Sequence, residues 1–170
     1  MSIILNQRKE KLTVKKKFMK LQIKNSQNKI IIDKRKIRST ILKILKILDC
    51  ADKEISLSFV DDENIKQLNK EYLRRNRSTN VLSFSLREGE YGDINPQILG
   101  DIIISVETAQ KDALNGNLTV SQEIDFLIIH GILHLLGYNH ENTTRKETNK
   151  MRQKEKTLFA AVYGCDAGLI

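Results

Sequence analysis

Residues 119–137 constrain the fold more tightly than any other part of the chain. Thr119-x-x-Gln122 reads as a capping box that opens a helix, and Gly137 is placed to end it, since glycine takes the left-handed conformation freely. Between them Ile124, Leu127, Ile128, Ile129, Ile132, Leu133, Leu135 and Leu136 run nearly all the way round. A helix apolar on most sides must be buried, so the rest of the chain has to build layers around it. Into this helix the sequence sets His130 and His134, and His140 follows beyond Gly137; the chain has 3 histidines in all. Four residues apart, His130 and His134 differ by about 40° in azimuth and about 6 Å in height. Both rings therefore leave one face and can meet one ion. A turn at Gly137 can fold the chain back and deliver His140 as a third ligand. Three imidazoles on a tetrahedral ion leave one position for water, the arrangement of a catalytic zinc site. Imidazole also suits nickel, iron or copper. The alternative is ordinary histidines satisfied beside a core, but two unpaired imidazoles on a buried helix would carry a desolvation cost for no return.

The rest of the chain supplies the layers. Leu21 and Ile23, then Ile30-Ile31-Ile32, predict two short strands around an Asn/Ser/Gln turn. Asp33 caps a helix to about Asp49, with Ile37, Ile41, Ile44, Leu45 and Leu48 at helical spacing. Residues 55–60 alternate as a strand, and Asp61, Asp62 and Glu63 open a helix to about Leu73, as the helix dipole prefers. A polar, basic loop over 74–80 leads into a strand from Val81 to Leu86. Residues 87–98 are turn-like, with Gly89, Gly92 and Pro96. Ile102, Ile103 and Ile104 with Val106 predict a further strand, and the helix after it stops at Asn115-Gly116. Thr144-x-x-Glu147 opens a last amphipathic helix to about Tyr163. The expectation is one α+β domain over 19–170, a small, mixed, mostly parallel sheet packed with helices, one of them a zincin-like metal-binding helix.

A chain of 170 residues is long enough for one domain with its own core. No apolar run reaches the roughly 18 residues of a membrane span, so no membrane partner is expected. Cys50 and Cys165 form no C-x-x-C pair, which suits a reducing cytoplasm and no disulfide-linked partner. Of the net charge of +8, five units gather in residues 1–18, where Arg8, Lys9, Lys11, Lys15, Lys16 and Lys17 face Glu10 alone. That leader is expected to be a disordered or appended extension, with Met19 as an alternative start, and it carries no functional argument.

The histidine spacing also resembles the metzincin peptidase signature H-E-x-x-H-x-x-G-x-x-H, in which the Glu is the general base. Here that position is Gly131, so a peptidase would lack its means of activating water. The full run His130-Gly131-Ile132-Leu133-His134-Leu135-Leu136-Gly137-Tyr138-Asn139-His140 resembles far more closely the H-G-x-L-H-L-x-G-Y-D-H motif of the YbeY endoribonucleases, bacterial and organellar ribosomal RNA maturation factors. Thr79-Asn80-Val81-Leu82-Ser83-Phe84 resembles their P-T-[DN]-V-L-S-F, and Leu99-Gly100-Asp101-Ile102 their L-G-D-I strand. The resemblance runs over roughly 19–163.

This resemblance implies a metal-dependent, single-strand-selective endoribonuclease acting in small-subunit ribosomal RNA 3′ end maturation and ribosome quality control. Its partners would be ribosomal RNA and small-subunit assembly components, in the cytoplasm. It places His130, His134 and His140 at the metal-ligand positions, with one zinc per chain and His130 central to catalysis. Leu73 stands where the family typically has an arginine implicated in activity, so Arg74, Arg75 or Arg77 would supply that charge, Arg74 being the catalytic candidate. Asn76 and Ser78 stand where the family often has Asp and Pro. Asn139 replaces an Asp before the third ligand; it can hydrogen-bond but cannot act as a base near neutral pH.

In chemical terms, Arg74, Arg75 and Arg77 suit phosphate contacts, alongside Thr79 and Asn80 in the same RNA-binding stretch, the alternative being a solvated loop. Asp101 and Asn139 are candidates to orient a ligand histidine, and Asp101 could equally cap the turn after Gly100. Tyr72 and Tyr138 could stack on unpaired bases or simply pack. Lys146, Lys150, Arg152, Lys154 and Lys156 read as a solvated face of the last helix. An RNA-binding ribosome-assembly factor with a structural metal is the alternative to an enzyme.

Overall fold

The computed structural model describes residues 21–86, 97–140 and 143–164. The basic leader 1–18, the turn residues Gly89, Gly92 and Pro96, and Cys165 lie outside the described residues. The elements run β1 (Leu21–Asn25), α1 (Lys34–Ile47), β2 (Glu54–Val60), α2 (Asp62–Leu73), β3 (Val81–Ser85), β4 (Ile98–Ser105), α3 (Val106–Asn115), α4 (Val120–Leu135) and α5 (Arg145–Tyr163). The sheet has the order β1-β2-β4-β3. β1, β2 and β4 are parallel, and β3 lies antiparallel along the β4 edge. This is the single α+β domain with a mixed sheet that the patterning predicts. None of the described helices is long and apolar enough to cross a membrane.

Period-two alternation divides the sheet into two faces. Ile55, Leu57 and Phe59 of β2 with Ile102 and Ile104 of β4 meet α1, α4 and α5 in the main core. On the opposite face Leu82, Phe84 and Ile103 meet Ile65 and Leu68 of α2. α4 packs on β3, β4, α1, α3 and α5 together, and ten of its sixteen residues are buried. It opens with the full capping box of Thr119 and Gln122. It lies close against the sheet at Gly131, where a Cβ would stand 2.9 Å from Ile102 Cγ2 and 3.1 Å from Ser83 Oγ. The absence of a side chain there is what lets the helix lie against the strands.

Two expectations change. Ile30–Ile32 is not a strand. The Gln27 side chain donates to Ile30 O at 2.8 Å and accepts from Lys29 N and Ile30 N at 2.7 and 2.9 Å. That turn uses the groups a ladder would need, and Ile31 ends 99% exposed. Val106 begins α3 instead of ending β4, because the Ser105 side chain caps Thr108 N. α3 ends at Asn115 with Gly116 as its C-cap, as the sequence predicts, and the left-handed residue beyond it is Asn117, φ 53°.

Two polar links fix the helices. Asp62 at the start of α2 accepts from Ser105 Oγ and Thr108 Oγ1, each at 2.6 Å, and from Lys111 Nζ at 2.8 Å, binding α2 to α3. Tyr163 OH donates to the fully buried Asp125, which fastens the end of α5 to α4. Burial pushes the Asp125 carboxyl above its usual range. For Asp62 burial acts upward too, but the hydrogen bonds from Lys111, Ser105 and Thr108 outweigh it and hold the carboxyl at about 2.

Two outcomes follow for stability. Gly131→Ala should cost roughly 1–3 kcal/mol by overpacking, read as a lower urea midpoint. A depressed carboxylate stabilises fully above its unfolded pKa and loses that contribution as pH falls through the folded one. Between pH 4 and pH 2 the midpoint of the wild type should therefore fall more steeply than that of Asp62→Asn. Parallel acid profiles would show that Asp62 contributes nothing.

Candidate metal centre

The histidines meet because of how α4 ends. Gly137 N donates to His134 O at 2.9 Å and Tyr138 N to Leu133 O at 3.0 Å, the paired bonds of a Schellman motif. Gly137 holds φ +87°, and a Cβ there would meet nothing within 4 Å. Glycine is needed for the backbone conformation and not for space. The reversal brings His140 back over the helix. The ligand nitrogens of His130, His134 and His140 all lie within 4.8 Å of one another. His130 Nε2 is 3.1 Å from His134 Nε2 and 3.4 Å from His140 Nε2.

A carboxylate from a different helix completes the cluster. Glu155 of α5, itself buried, places Oε1 2.7 Å from His130 Nδ1. With Nδ1 so engaged, the Nε2 lone pair of His130 is aimed at its two neighbours, and a carboxylate on the far nitrogen raises a ligand's basicity. Burial first, then the neighbouring His130 and His140, push His134 down to about 4. It is therefore a neutral imidazole near pH 7, the form that binds a metal. Three converging nitrogens, one set by a buried carboxylate and one held neutral, fit a divalent transition-metal ion.

Sequence reasoning singled out Asp101 and missed Glu155. Ile102 is the β4 residue that meets Gly131 of α4. Asp101 therefore points from the other face, opposite Ser56 and Phe84, where it lines a shallow groove with Gln22 and Ser56. Glu155 was hidden among the charges of the last helix. Its signal is positional: the buried side of α5 is Met151, Glu155, Leu158 and Phe159, an acid in an apolar stripe.

The other expected residues lie at the end of α2, on the loop into β3 and on the turn beyond α4. Arg74 caps α2 in the left-handed conformation, φ 58°. Arg74, Arg75 and Arg77 are all exposed on the loop into β3. Thr79 is partly buried. Asn80 is engaged within the fold, donating through Nδ2 to Asp112 Oδ2 at 2.9 Å while its carbonyl accepts from Ser105 N. Asn139 is exposed beside His140. Tyr138 packs on the core with Lys150 Nζ 5.5 Å from its ring centre. Tyr72 is 59% exposed, its ring backed by Phe84 at 5.1 Å.

Comparison with known proteins places this geometry. A family model described as endoribonuclease YbeY matches residues 22–163. A protein of Syntrophus aciditrophicus named endoribonuclease YbeY is 56% identical over 146 residues, 86% of this chain and 91% of that protein. One of the same name from Syntrophotalea carbinolica is 42% identical over 142 residues, 84% and 95% of the two chains. Another, from Clostridioides difficile, is 36% identical over 162 residues, 94% and 95%. The solution structure of a Thermotoga maritima protein superposes with a TM-score of 0.60 at 27% identity, over 85% of this chain and 89% of that one.

Glu155→Gln should weaken metal binding by about 10–100-fold, the usual cost of losing a carboxylate behind a ligand histidine. Calorimetric titration with zinc, cobalt and nickel reads this directly. An unchanged affinity would mean that Glu155 only packs.

Proposed function

The chain belongs to the endoribonuclease YbeY family, and from that premise we propose that it cuts single-stranded RNA at a metal ion held by His130, His134 and His140. The single observation that carries this is the convergence of three imidazole nitrogens, one of them oriented by a buried carboxylate. Zinc, one per chain, is the ion proposed. When bound, such an ion supplies Lewis acidity to a phosphoryl oxygen or to a water. The substrate proposed is ribosomal RNA during small-subunit maturation, with assembly components as partners, which implies work in the cytoplasm.

The chain's own residues have separable parts in this reading. His130, set by Glu155, holds the position on which the other two ligands close. The guanidinium groups of Arg74, Arg75 and Arg77 take phosphate oxygens, Arg74 standing in for the arginine that Leu73 replaces. Its left-handed backbone sets the direction in which that side chain leaves the helix end. The exposed face of Tyr72 offers an unpaired base a stacking surface, which favours single strands over duplex. Asn139 can donate or accept a hydrogen bond beside His140 but cannot take a proton near neutral pH. The peptidase alternative fails at Gly131, because that position is pressed on Ile102 with no room for a glutamate.

Metal analysis of the purified protein, paired with cleavage of an end-labelled single-stranded RNA, tests the proposal. The wild type should carry about one metal per chain, and His130→Ala and His134→Ala should lose at least about 100-fold in rate while keeping their circular dichroism. Arg74→Ala should keep the metal and lose roughly tenfold in kcat/KM, the worth of one charged hydrogen bond. Full cleavage by the folded histidine variants would overturn the reading.

A further inference from the structure

α1 carries Lys34, Arg35, Lys36, Arg38, Lys43 and Lys46 and no acidic residue along its 14 residues. All six cations are exposed, while Ile37, Thr40, Ile41, Ile44 and Leu45 form the buried side. At about 100° per residue, Arg35, Leu42 and Lys46 follow the line farthest from the core, with Arg38 and Lys43 on either side. This arrangement works against the helix. Its N-terminal end carries partial positive charge, yet the first turn holds three cations and no acid. Lys34 with Arg38, and Lys43 with Lys46, are like charges at repelling spacing. Asp33, next to them in sequence, is committed to capping Arg35 N and Lys36 N. Lys36 reaches Ser121 Oγ at 2.6 Å, Arg38 reaches Leu21 O at 3.2 Å and Lys43 reaches Val162 O at 3.5 Å. Those partners are neutral, and of the six only Lys36 is shown in the field of a buried carboxylate, that of Asp125, so the outer cations keep their charge.

A field of one sign on a rigid helix selects a polyanion. The apolar side of α1 is already in the core, which leaves Leu42 and Ile47 as its exposed apolar residues, too little to enter a lipid surface. The cations span about 18 Å along the axis, about five phosphates of a strand at 3.4 Å each. Ser121, against which Lys36 lies, precedes His130 on α4 by about 14 Å of helix. We infer that the outer face of α1 is a second phosphate-backbone contact, which holds single-stranded RNA beyond the segment lying at the histidine cluster. This rests on the endoribonuclease reading.

The test compares binding of a thirty-nucleotide single-stranded RNA by the wild type and by Lys34→Gln/Arg35→Gln. Affinity should fall by about fivefold per cation at 0.1 M salt, and the slope of log K against log salt by about 1.4. The variant should melt at or above the wild type, because both cations oppose the helix field. Its cleavage of a trinucleotide, which at about 10 Å is too short to reach α1, should be unchanged. Unaltered affinity and slope would overturn the inference. So would an equal loss in Arg152→Gln/Lys156→Gln, which removes the same charge from an exposed part of α5. Loss of binding to phosphatidylserine vesicles with RNA affinity intact would also overturn it, and assign the face to lipid. Repeating the binding in a His130→Ala background separates the two claims: absent cleavage by the protein with His130 intact counts against the endoribonuclease reading, while the RNA-affinity comparison in the His130→Ala background still decides the role of α1.

Discussion

Gly131 fixes the separation between α4 and the sheet, and the rest of the structure is arranged around that contact. With Ile102 and Ser83 against bare backbone, α4 settles deeply enough to be enclosed by two strands and three helices. A helix so enclosed has little freedom to rotate or slide, since a packed interior tolerates changes of a single methylene poorly. The remaining opening is the strip through which His130 and His134 project. Their direction is a by-product of core packing, so the site inherits the rigidity of the core. The same contact separates this chain from a glutamate-dependent peptidase, because the residue after His130 is the one that touches the strand.

Electrostatics then operates on a framework that is already rigid. On α4, burial keeps the His134 imidazole neutral, and the carboxylate that meets the cluster arrives from another helix, on Glu155 of α5. α4's own buried acids, Glu123 and Asp125, lie in its first two turns, and His130 is oriented from a second helix instead. The Tyr163–Asp125 bond, two turns farther along α5, sets the register of that delivery. The cations of α1 are the complementary case, a surface kept at one sign although the three in its first turn oppose the field of their own helix.

Most of the fold was legible because its signals are local. Asp33, Asp61, Thr119 and Thr144 each precede a helical apolar pattern, and each caps a helix. The spacing of His130, His134, Gly137 and His140 contains the geometry of the cluster, since helix periodicity and one left-handed turn suffice to build it. What was missed depends on contacts between distant segments. Glu155 meets His130 only when α5 docks antiparallel to α4, and no local pattern states that docking. Asp101 was misread because a strand offers two faces, and only the partner of Ile102 reveals which one faces α4. Ile30–Ile32 has strand composition, but one glutamine side chain claimed its backbone.

The order of elements along the chain carries a consequence for biosynthesis. Among the described residues, four strands and three helices precede His130, while Glu155 and its Tyr163 anchor come later still. A growing polypeptide thus lays down its scaffold, including the basic face of α1, before any imidazole of the cluster exists. The carboxylate that orients the cluster is made after all three histidines. A nascent chain of this design can touch a polyanion well before it holds the residues to cut one.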